Sequence, residues 1–199
     1  MPPKPKFTRE EMVEAALELV ARRGAEALTA RELGAALGSS ARPIFTVFRS
    51  MDELQQAVRE AAMRRFEQFV RQPVANMPVF KQVGLQMVRF AMQEPKLYQL
   101  LFMRENADTA GFENMLRALG GTAEICMEAI RRDYGLTPEE ARTLFENVWI
   151  YTFGIGALCA AHACRFSEEE LGQMLTSQFQ AMMLPGAAGG CPFPGAEGR

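Results

Sequence analysis

The sequence predicts an all-α fold, and three observations support this prediction. Apolar residues recur at helical spacing, as Leu33, Ala36 and Leu37 illustrate. No segment alternates apolar and polar residues as a half-buried strand does. Helix-start signals are frequent, and Thr137-Pro138-Glu139-Glu140 combines a capping threonine, a proline at the first helical position and a capping-box glutamate. We expect about nine helices, at roughly 8–23, 29–36, 40–47, 51–71, 79–93, 96–105, 111–134, 139–163 and 168–184.

Prolines and glycines divide these helices into two domains. Gln72-Pro73 and Asn76-Met77-Pro78 end the fourth helix and mark a boundary. We therefore expect an N-terminal domain over 7–67 and a larger helical domain over 78–184. Asn106-Ala107-Asp108-Thr109 predicts a turn, and Gly120-Gly121 a loosened point in a long helix. The Gly/Pro/Ala-rich residues 185–199 predict a disordered tail.

Composition and charge limit the classes of protein. The chain has 199 residues, 48% of them hydrophobic, and a net charge of −2. This net charge argues against a general nucleic-acid binder, although the charge is uneven, with +2 over residues 1–50 and −4 over the remainder. No apolar stretch reaches the roughly 18 residues that cross a bilayer. The Met-Pro-Pro-Lys-Pro-Lys start lacks an apolar signal region, so we expect a cytoplasmic protein with no membrane partner.

Residues 29–48 are the most informative part of the chain. Thr29 can cap a first short helix, and Glu32 can complete a capping box. Gly38 then lies where the chain must turn, a position that favours positive φ. Ser39 or Ser40 can cap a second helix. Two short helices joined by a tight turn are typical of a helix-turn-helix, whose second helix enters the major groove of DNA; an ordinary helical hairpin in a core is the alternative.

The neighbouring residues support the helix-turn-helix interpretation. An amphipathic helix precedes it and closes at Gly24, and a cap with an acidic first turn follows at Ser50. The run from about Phe7 to Val58 resembles the DNA-binding domain of the tetracycline-repressor (TetR) family of bacterial transcription regulators. The matching elements are Ala16-Leu17-Glu18-Leu19, Arg23-Gly24, Thr29-Ala30-Arg31-Glu32-Leu33-Gly34, Gly38-Ser39-Ser40, Ile44-Phe45 and Phe48-x-Ser50-x-x-Glu53-Leu54.

This resemblance implies a sequence-specific regulator, which we expect to be a repressor. It implies a homodimer on a palindromic double-stranded operator, released by a small-molecule effector. By position, the DNA-binding residues are Thr29, Arg31, Ser39, Ser40, Arg42, Pro43, Phe45 and Thr46. We expect Arg42 to contact guanine O6 and N7, Thr46 to contact a thymine methyl or a phosphate, and Thr29 and Arg31 to hold phosphates. A solvated surface arginine is the alternative for Arg42.

Two positions depart from the family pattern. The family often has tyrosine at position 45 and lysine at position 51, where this chain has Phe45 and Met51. The loss of two phosphate contacts per subunit should weaken DNA binding and its salt dependence. Core packing is the alternative role for both residues. A helical interaction or sensor protein with weakened or lost DNA binding is the alternative function.

The second domain is expected to bind the effector and to dimerise through the last two helices. The candidate ligand-binding residues are apolar or aromatic, which suits an apolar or amphipathic effector; they are Phe90, Tyr98, Phe102, Met103, Met127, Trp149 and Phe153. The alternative for each is simple core packing. The segment Trp149 to Gly154 resembles a Trp-x-x-x-His-Gly element of one family branch, with Phe153 replacing the histidine. The resemblance therefore does not carry a histidine contact with the ligand over to this chain.

Small residues along the penultimate helix predict a close helix approach at the dimer interface. They are Gly154, Gly156, Ala157, Ala160 and Ala161. Close packing within one subunit is the alternative explanation.

The sequence does not predict an enzyme, a cofactor or a metal site. The single histidine, His162, has no evident nucleophile or acid partner, and no Gly-rich phosphate loop is present. Cys159-x-x-His162-x-Cys164 alone suggests metal, but only Cys159 and His162 share a helix face, so a further ligand such as Cys126 would be required. We treat the four cysteines as free thiols.

Overall fold

The computed structural model describes residues 6–104, 112–119 and 121–183. Over these residues the chain is all-α, as predicted, and contains no strand. Nine α-helices are present: α1 Arg9–Arg23, α2 Ala30–Ala36, α3 Met51–Val70, α4 Val79–Gln93, α5 Pro95–Phe102, α6 Phe112–Ala118, α7 Gly121–Tyr134, α8 Pro138–Ala160 and α9 Glu168–Met182. Two short 3-10 helices lie at Ala25–Ala27 and Ile44–Thr46.

Local capping explains several helix boundaries. Thr137 and Ser167 each form a full capping box, with Glu140 and Glu170 respectively, and so start α8 and α9. Gly24 ends α1 with φ of 86°, a backbone conformation that glycine adopts without strain. These features confirm the start and stop signals that the sequence predicts.

The count of nine agrees with the prediction, but two elements differ. Residues 40–47 do not form an α-helix, because the only helical element there is the 3-10 helix Ile44–Thr46, which is flanked by turn residues. Pro43 explains this difference, since it disfavours the α conformation at Arg42 and has no N–H to donate. The predicted helix 111–134 is divided into α6 and α7, next to the predicted loosened point. The predicted turn at Asn106–Thr109 and the predicted tail 185–199 lie outside the described residues.

A continuous apolar core joins the N-terminal helices to the rest of the molecule. Helix α4 packs against α8, α3 and α7, and α5 packs against α1 and α8. Phe66 of α3 lies edge-on to Phe90 of α4 and Phe102 of α5, with ring centroids 5.3 and 5.0 Å away. Helix α3 is buried on both sides of residue 67, the predicted end of the first domain, at Phe66 and at Val70. The domain bounds stay a prediction.

Two arginines of α3 bind the ends of α5. Arg65 donates to Glu18 of α1 at 2.7 Å and also to Glu94, immediately before α5. Arg59 donates to the carbonyls of Leu100 and Leu101, at 3.1 and 3.0 Å, near the other end of α5. The position of α5 is therefore coupled directly to α1 and α3. None of the described helices combines the length and apolarity needed to cross a membrane.

Candidate functional site

The turn after α2 depends on two glycines. Gly38 has φ of 62°, which confirms the predicted turn position. Gly34 has a different role, because a Cβ there would lie 2.8 Å from the carbonyl carbon of Ser40 and 3.0 Å from the backbone nitrogen of Ala41. The backbone N–H of Ser39 also donates to the Gly34 carbonyl at 2.8 Å. The chain after the turn thus packs on the backbone of α2, a role that the sequence signals only by a glycine inside a helical pattern.

Thr29 caps the start of α2 as predicted, but the prediction that Glu32 completes a capping box is wrong. The Thr29 hydroxyl accepts from the Glu32 backbone N–H at 3.1 Å. The Glu32 carboxylate does not return to Thr29, whose own N–H donates to the Ala27 carbonyl at 3.0 Å. It pairs instead with Arg23 at the end of α1. This ion pair joins α1 to α2, and it occupies the Arg23 guanidinium.

The segment after the turn is held by Ile44 and Phe48, which are 0% and 1% exposed. Neither Ser39 nor Ser40 caps a second helix, which is a further correction: the 3-10 helix begins after Pro43 without a side-chain cap. Ser39 Oγ instead accepts from Lys6 Nζ at 3.5 Å. The Pro43 carbonyl accepts from the Thr46 hydroxyl at 2.6 Å and from the Thr46 backbone N–H at 3.1 Å.

The predicted DNA-binding residues remain at the surface. Ser39 and Pro43 are half-buried, and the others are exposed, namely Thr29, Arg31, Ser40, Arg42, Phe45 and Thr46. Arg31 and Arg42 form no ion pair with any described residue, whereas Arg23 is paired with Glu32. Phe45 is 52% exposed, so core packing is the wrong explanation for it. Met51 is half-buried and packs against the core, so core packing does account for that residue.

The end of the helix-turn-helix is fixed to α1. The Arg9 guanidinium lies 4.4 Å from the ring centroid of Phe48 and donates to Glu53 at 2.9 Å. The Glu53 carboxylate also accepts from the Arg49 backbone N–H at 2.9 Å, and Ser50 Oγ accepts from the Glu53 N–H at 3.2 Å. The hydrogen bond from Arg49 and then that from Arg9 lower the pKa of Glu53. These contacts confirm the predicted cap at the start of α3.

Five of the seven candidate ligand-binding residues meet in one aromatic cluster, defined here as Phe66, Phe90, Tyr98, Phe102, Trp149 and Phe153. Tyr98 lies 5.0 Å from Phe102 and 6.2 Å from Phe153, and Phe102 lies 6.4 Å from Trp149, between ring centroids. Phe66 links Phe90 to Phe102 and was missed from the sequence because it lies on the apolar face of α3. Met127 is half-buried on α7. Met103 is 42% exposed and lies against a different cleft.

The polar groups of the aromatic cluster differ in their hydrogen bonding. The Tyr98 hydroxyl donates to the Phe153 carbonyl at 3.2 Å, and burial raises the pKa of Tyr98 far above its ordinary value. Trp149 Nε1 is buried and has no hydrogen-bond partner among the described residues. Thr122 Oγ1, on the neighbouring helix α7, is likewise buried without a hydrogen-bond partner among these residues. A buried donor without a partner costs about 1–3 kcal/mol, so Trp149 would gain from an acceptor supplied by a ligand.

The small residues of α8 do not form the single face that the sequence predicts. A Cβ at Gly156 would lie 2.5 Å from the Tyr98 hydroxyl oxygen, and Ala160 is fully buried. Gly154 and Ala161 are exposed, and a Cβ at Gly154 would meet nothing within 4 Å. Residues i and i+2 of an α-helix point in directions about 200° apart. Gly154 and Gly156 therefore lie on opposite faces of α8.

The outward face of α8 forms an apolar stripe. Ile150 and Leu158 are 46% and 44% exposed, and the small residues Gly154, Ala157 and Ala161 lie between and beyond them. We call Ile150, Gly154, Ala157, Leu158 and Ala161 the α8 stripe. Helix α9 packs alongside α8.

The described residues contain no group of three His, Cys, Asp or Glu side chains that could hold a metal ion. Cys126 and Cys159 are buried, and Cys164 is half-buried. Burial raises the pKa of Cys126 to about 12 and raises that of Cys159 as well. These two thiols are therefore protonated and weakly nucleophilic at neutral pH. Cys191 lies outside the described residues.

Comparisons with known proteins find two family models that match different parts of the chain. The family model described as bacterial regulatory proteins, tetR family, matches residues 12–58. The model of the tetracyclin repressor-like C-terminal domain matches residues 80–182. A solved structure of a TetR family protein from Vibrio parahaemolyticus is 16% identical, with a TM-score of 0.61 over 88% of this chain and 98% of that one, which is evidence for the fold alone. Comparison with curated proteins gives no match.

Proposed function

Since the chain belongs to the TetR family of bacterial regulatory proteins and is a DNA-binding transcriptional regulator, we propose that it is a repressor whose operator is released by a small-molecule effector. The observation that carries this proposal is the exposure of Arg31 and Arg42 without an ion-pair partner among the described residues. Guanidinium groups that are not already neutralised are available to phosphates and to base edges.

The proposed contacts with DNA are of two kinds: contacts with base edges, which recognise the sequence, and contacts with phosphates, which position the protein. Arg42 lies on the exposed turn before Ile44 and donates to guanine O6 and N7 in the major groove. Thr29 and Arg31, at the start of α2, hold phosphates. Phe45 has no hydroxyl for a phosphate, and its exposed ring packs against a thymine methyl or a sugar. Fewer phosphate contacts make the operator affinity less sensitive to salt than that of a relative with tyrosine and lysine at positions 45 and 51.

The α8 stripe is the proposed dimer interface, together with the adjoining face of α9. Ile150 and Leu158 supply apolar area, and Gly154 allows the backbone of a second α8 to approach closely. A two-fold axis through this face would pair two helices from each subunit into a four-helix bundle. The two helix-turn-helix units would then meet the two halves of a palindromic operator.

The aromatic cluster is the proposed effector site. An apolar or amphipathic effector enters by parting Tyr98, Phe102 and Trp149, and a hydrogen-bond acceptor on it takes the free N–H of Trp149. Such an effector displaces α5, and Arg59 and Arg65 pass that displacement to α3 and α1. The spacing of the two helix-turn-helix units then no longer fits the operator.

A titration of purified protein tests the DNA-binding proposal. Labelled fragments from upstream of its own gene and of neighbouring genes are followed by fluorescence anisotropy, with excess nonspecific competitor. We expect saturable binding to one fragment at two subunits per site. Binding that the competitor removes from every fragment would favour the alternative, a helical interaction protein that has lost DNA binding.

The effector proposal has an intrinsic reporter, because Trp149 is the single tryptophan of the chain. Compounds are screened by the shift in Trp149 emission and by release of the labelled operator. We expect the same midpoint in both titrations. A compound that releases the operator and leaves Trp149 emission unchanged would place the effector outside the aromatic cluster.

A further inference from the structure

A second candidate site lies between the helix-turn-helix domain and α5. Two cavities, of about 260 and 360 Å³, adjoin there and share Ala25, Leu100 and Arg104 in their walls. We call them together the interdomain cleft. Small-molecule sites commonly measure about 300–1,000 Å³, so the cleft is large enough for a small ligand. It is distinct from the aromatic cluster, none of whose six residues lines it.

Cations from both sides of the cleft face this space. Arg59 comes from α3, Lys96 from the first turn of α5, and Arg104 from the residues after α5. Lys96 has no ion pair or hydrogen bond with any described residue. Arg104 pairs with Glu26 at 2.8 Å, but the Glu26 side chain is 89% exposed, and such surface pairs contribute little to stability. This pair can open at little cost for a stronger partner.

Arg59 is a half-buried guanidinium that has no carboxylate partner among the described residues. Its two terminal nitrogens donate to the Leu100 and Leu101 carbonyls, which leaves other N–H groups free. Burial and then the nearby charge of Arg104 lower the pKa of Arg59. Arg59 and Arg104 line the same cavity, so two like charges lie near each other, and an anion bound beside both would relieve their repulsion. Asp52 and Glu26 are the acids that line the cleft; a fourth cation of the lining, Arg23, is already paired with Glu32.

The rest of the lining is apolar or carries amides. Val20, Leu28, Val58 and Leu100 form an apolar floor beside the cations. Three glutamines also line its walls, namely Gln55, Gln56 and Gln99. Gln56 already donates to Glu60 at 3.2 Å and Gln99 to the Ala160 carbonyl at 2.7 Å. A bare inorganic ion would leave the apolar floor uncovered, whereas an anion on a short apolar body would cover it.

We propose that the interdomain cleft binds a small organic anion, with a carboxylate or phosphate held by Arg59, Lys96 and Arg104 and an apolar body on the floor. Because Arg59 belongs to α3 and the other two cations to the α5 segment, one ligand bonds both sides of the domain junction. Its occupancy restrains the angle between the helix-turn-helix and α5. This site does not depend on an effector in the aromatic cluster.

Calorimetric titration of the full chain tests the proposal with four probes: hexyl phosphate, hexanoate, 1-hexanol and inorganic phosphate. We expect saturable binding of hexyl phosphate, of hexanoate, or of both, at one per subunit, and none of 1-hexanol. The anion that binds identifies the head group. Equal affinity for inorganic phosphate and hexyl phosphate, or equal binding of 1-hexanol, would contradict the proposed ligand class.

Substitutions locate the site. Arg104→Gln and Lys96→Gln should each weaken the bound anion by about tenfold, the usual size of a lost charged hydrogen bond. Arg131→Gln is the matched control, because Arg131 is an exposed arginine of α7 away from the cleft, and we expect it to leave the affinity unchanged. Melting temperatures of all three variants check that the fold is intact. Unchanged binding in both cleft variants, or equal losses in the control, would overturn the assignment.

Discussion

The helix-turn-helix and the aromatic cluster place their candidate binding groups in opposite ways. In the helix-turn-helix, Arg31 and Arg42 are exposed on a backbone that Gly34 and Gly38 fix in position. In the cluster, Tyr98 and Trp149 are buried, and the candidate binding group of Trp149 is an indole N–H that has no hydrogen-bond partner in the described part of the chain. The first surface can meet its partner without rearrangement, whereas the second must open. This difference suits a regulator that binds DNA in its resting state and changes shape when an effector arrives.

Gly34→Ala is the substitution that we expect to disrupt the proposed DNA-binding surface most strongly. The new Cβ would lie 2.8 Å from the Ser40 carbonyl carbon, which is backbone and cannot swing aside. We expect a loss of about 1–3 kcal/mol in the free energy of unfolding, and loss of specific DNA binding because the turn that carries Arg42 shifts. Urea unfolding and operator anisotropy measure the two effects.

Gly84→Ala is the control for that variant, because its Cβ makes only an ordinary contact, 3.8 Å from Thr152 Oγ1. It should change the free energy of unfolding little, or raise it by up to about 1 kcal/mol through helix propensity. A Gly34→Ala protein with wild-type stability and DNA binding would show that the turn is not fixed as described.

In the cluster, Gly156→Ala is the corresponding test. Its Cβ would lie 2.5 Å from the Tyr98 hydroxyl oxygen, so Tyr98 must move away from α8 and from the Phe153 carbonyl. We expect a loss of about 1–3 kcal/mol in the free energy of unfolding, again against Gly84→Ala. We also expect a shift in Trp149 emission, because Phe102 connects Tyr98 to Trp149. An unchanged emission spectrum would mean that the rings do not move together.

The outward face of α8 is tested by Ile150→Glu. A charge in the α8 stripe should weaken the dimer by at least about tenfold, since a buried unpaired carboxylate costs more than 1.4 kcal/mol. Ile125→Glu on α7 is the matched control, because Ile125 is similarly exposed, at 43%, and lies outside the stripe. Sedimentation velocity over a range of concentrations gives the dimer affinity. Equal effects of the two variants would exclude the α8 stripe as the interface.

The smallest expected effect is the acid sensitivity of the two regions. Hydrogen bonds from Arg49 and Thr137 lower the pKa values of Glu53 and Glu140 below the ordinary 4.5. Each carboxylate therefore stabilises the folded state above that pH, and this contribution is lost as the pH falls through the lowered value. Glu53→Gln and Glu140→Gln should flatten the fall of the unfolding midpoint below about pH 4.5. The flattening should be larger for Glu53→Gln, because this substitution also removes the ion pair between Glu53 and Arg9. Unchanged slopes would contradict the capping roles.

Local signals predicted the helices and the exposure of the candidate DNA-binding residues. Thr137, Ser167 and Gly24 act within a few residues of the boundaries that they set, so the chain itself contains the information. The exposure of Arg31 and Arg42 followed from the family motif. The helix predicted at 40–47 was wrong although its cause, Pro43, was also local; the effect of a proline on the preceding residue was overlooked.

Tertiary contacts account for what the sequence could not predict. The Glu32 carboxylate pairs with Arg23 and forms no capping box, because α1 ends beside α2. No local sequence pattern indicates this proximity. Gly154 and Gly156 are alike in sequence, and only the position of Tyr98 assigns one to the core. The interdomain cleft is formed by α1, α3 and α5, whose residues are distant along the chain.

The most direct test of the central claim is the operator affinity of Arg42→Ala beside that of Arg131→Ala, measured by anisotropy on the fragment that the wild-type protein binds. Arg42 is exposed and forms no ion pair with any described residue, so its loss should leave the melting temperature unchanged. We predict that Arg42→Ala reduces specific binding by about tenfold or more, the size of a lost bidentate contact with guanine in each half-site, while Arg131→Ala binds as the wild type does. Wild-type affinity in Arg42→Ala would contradict the claim that this turn recognises DNA.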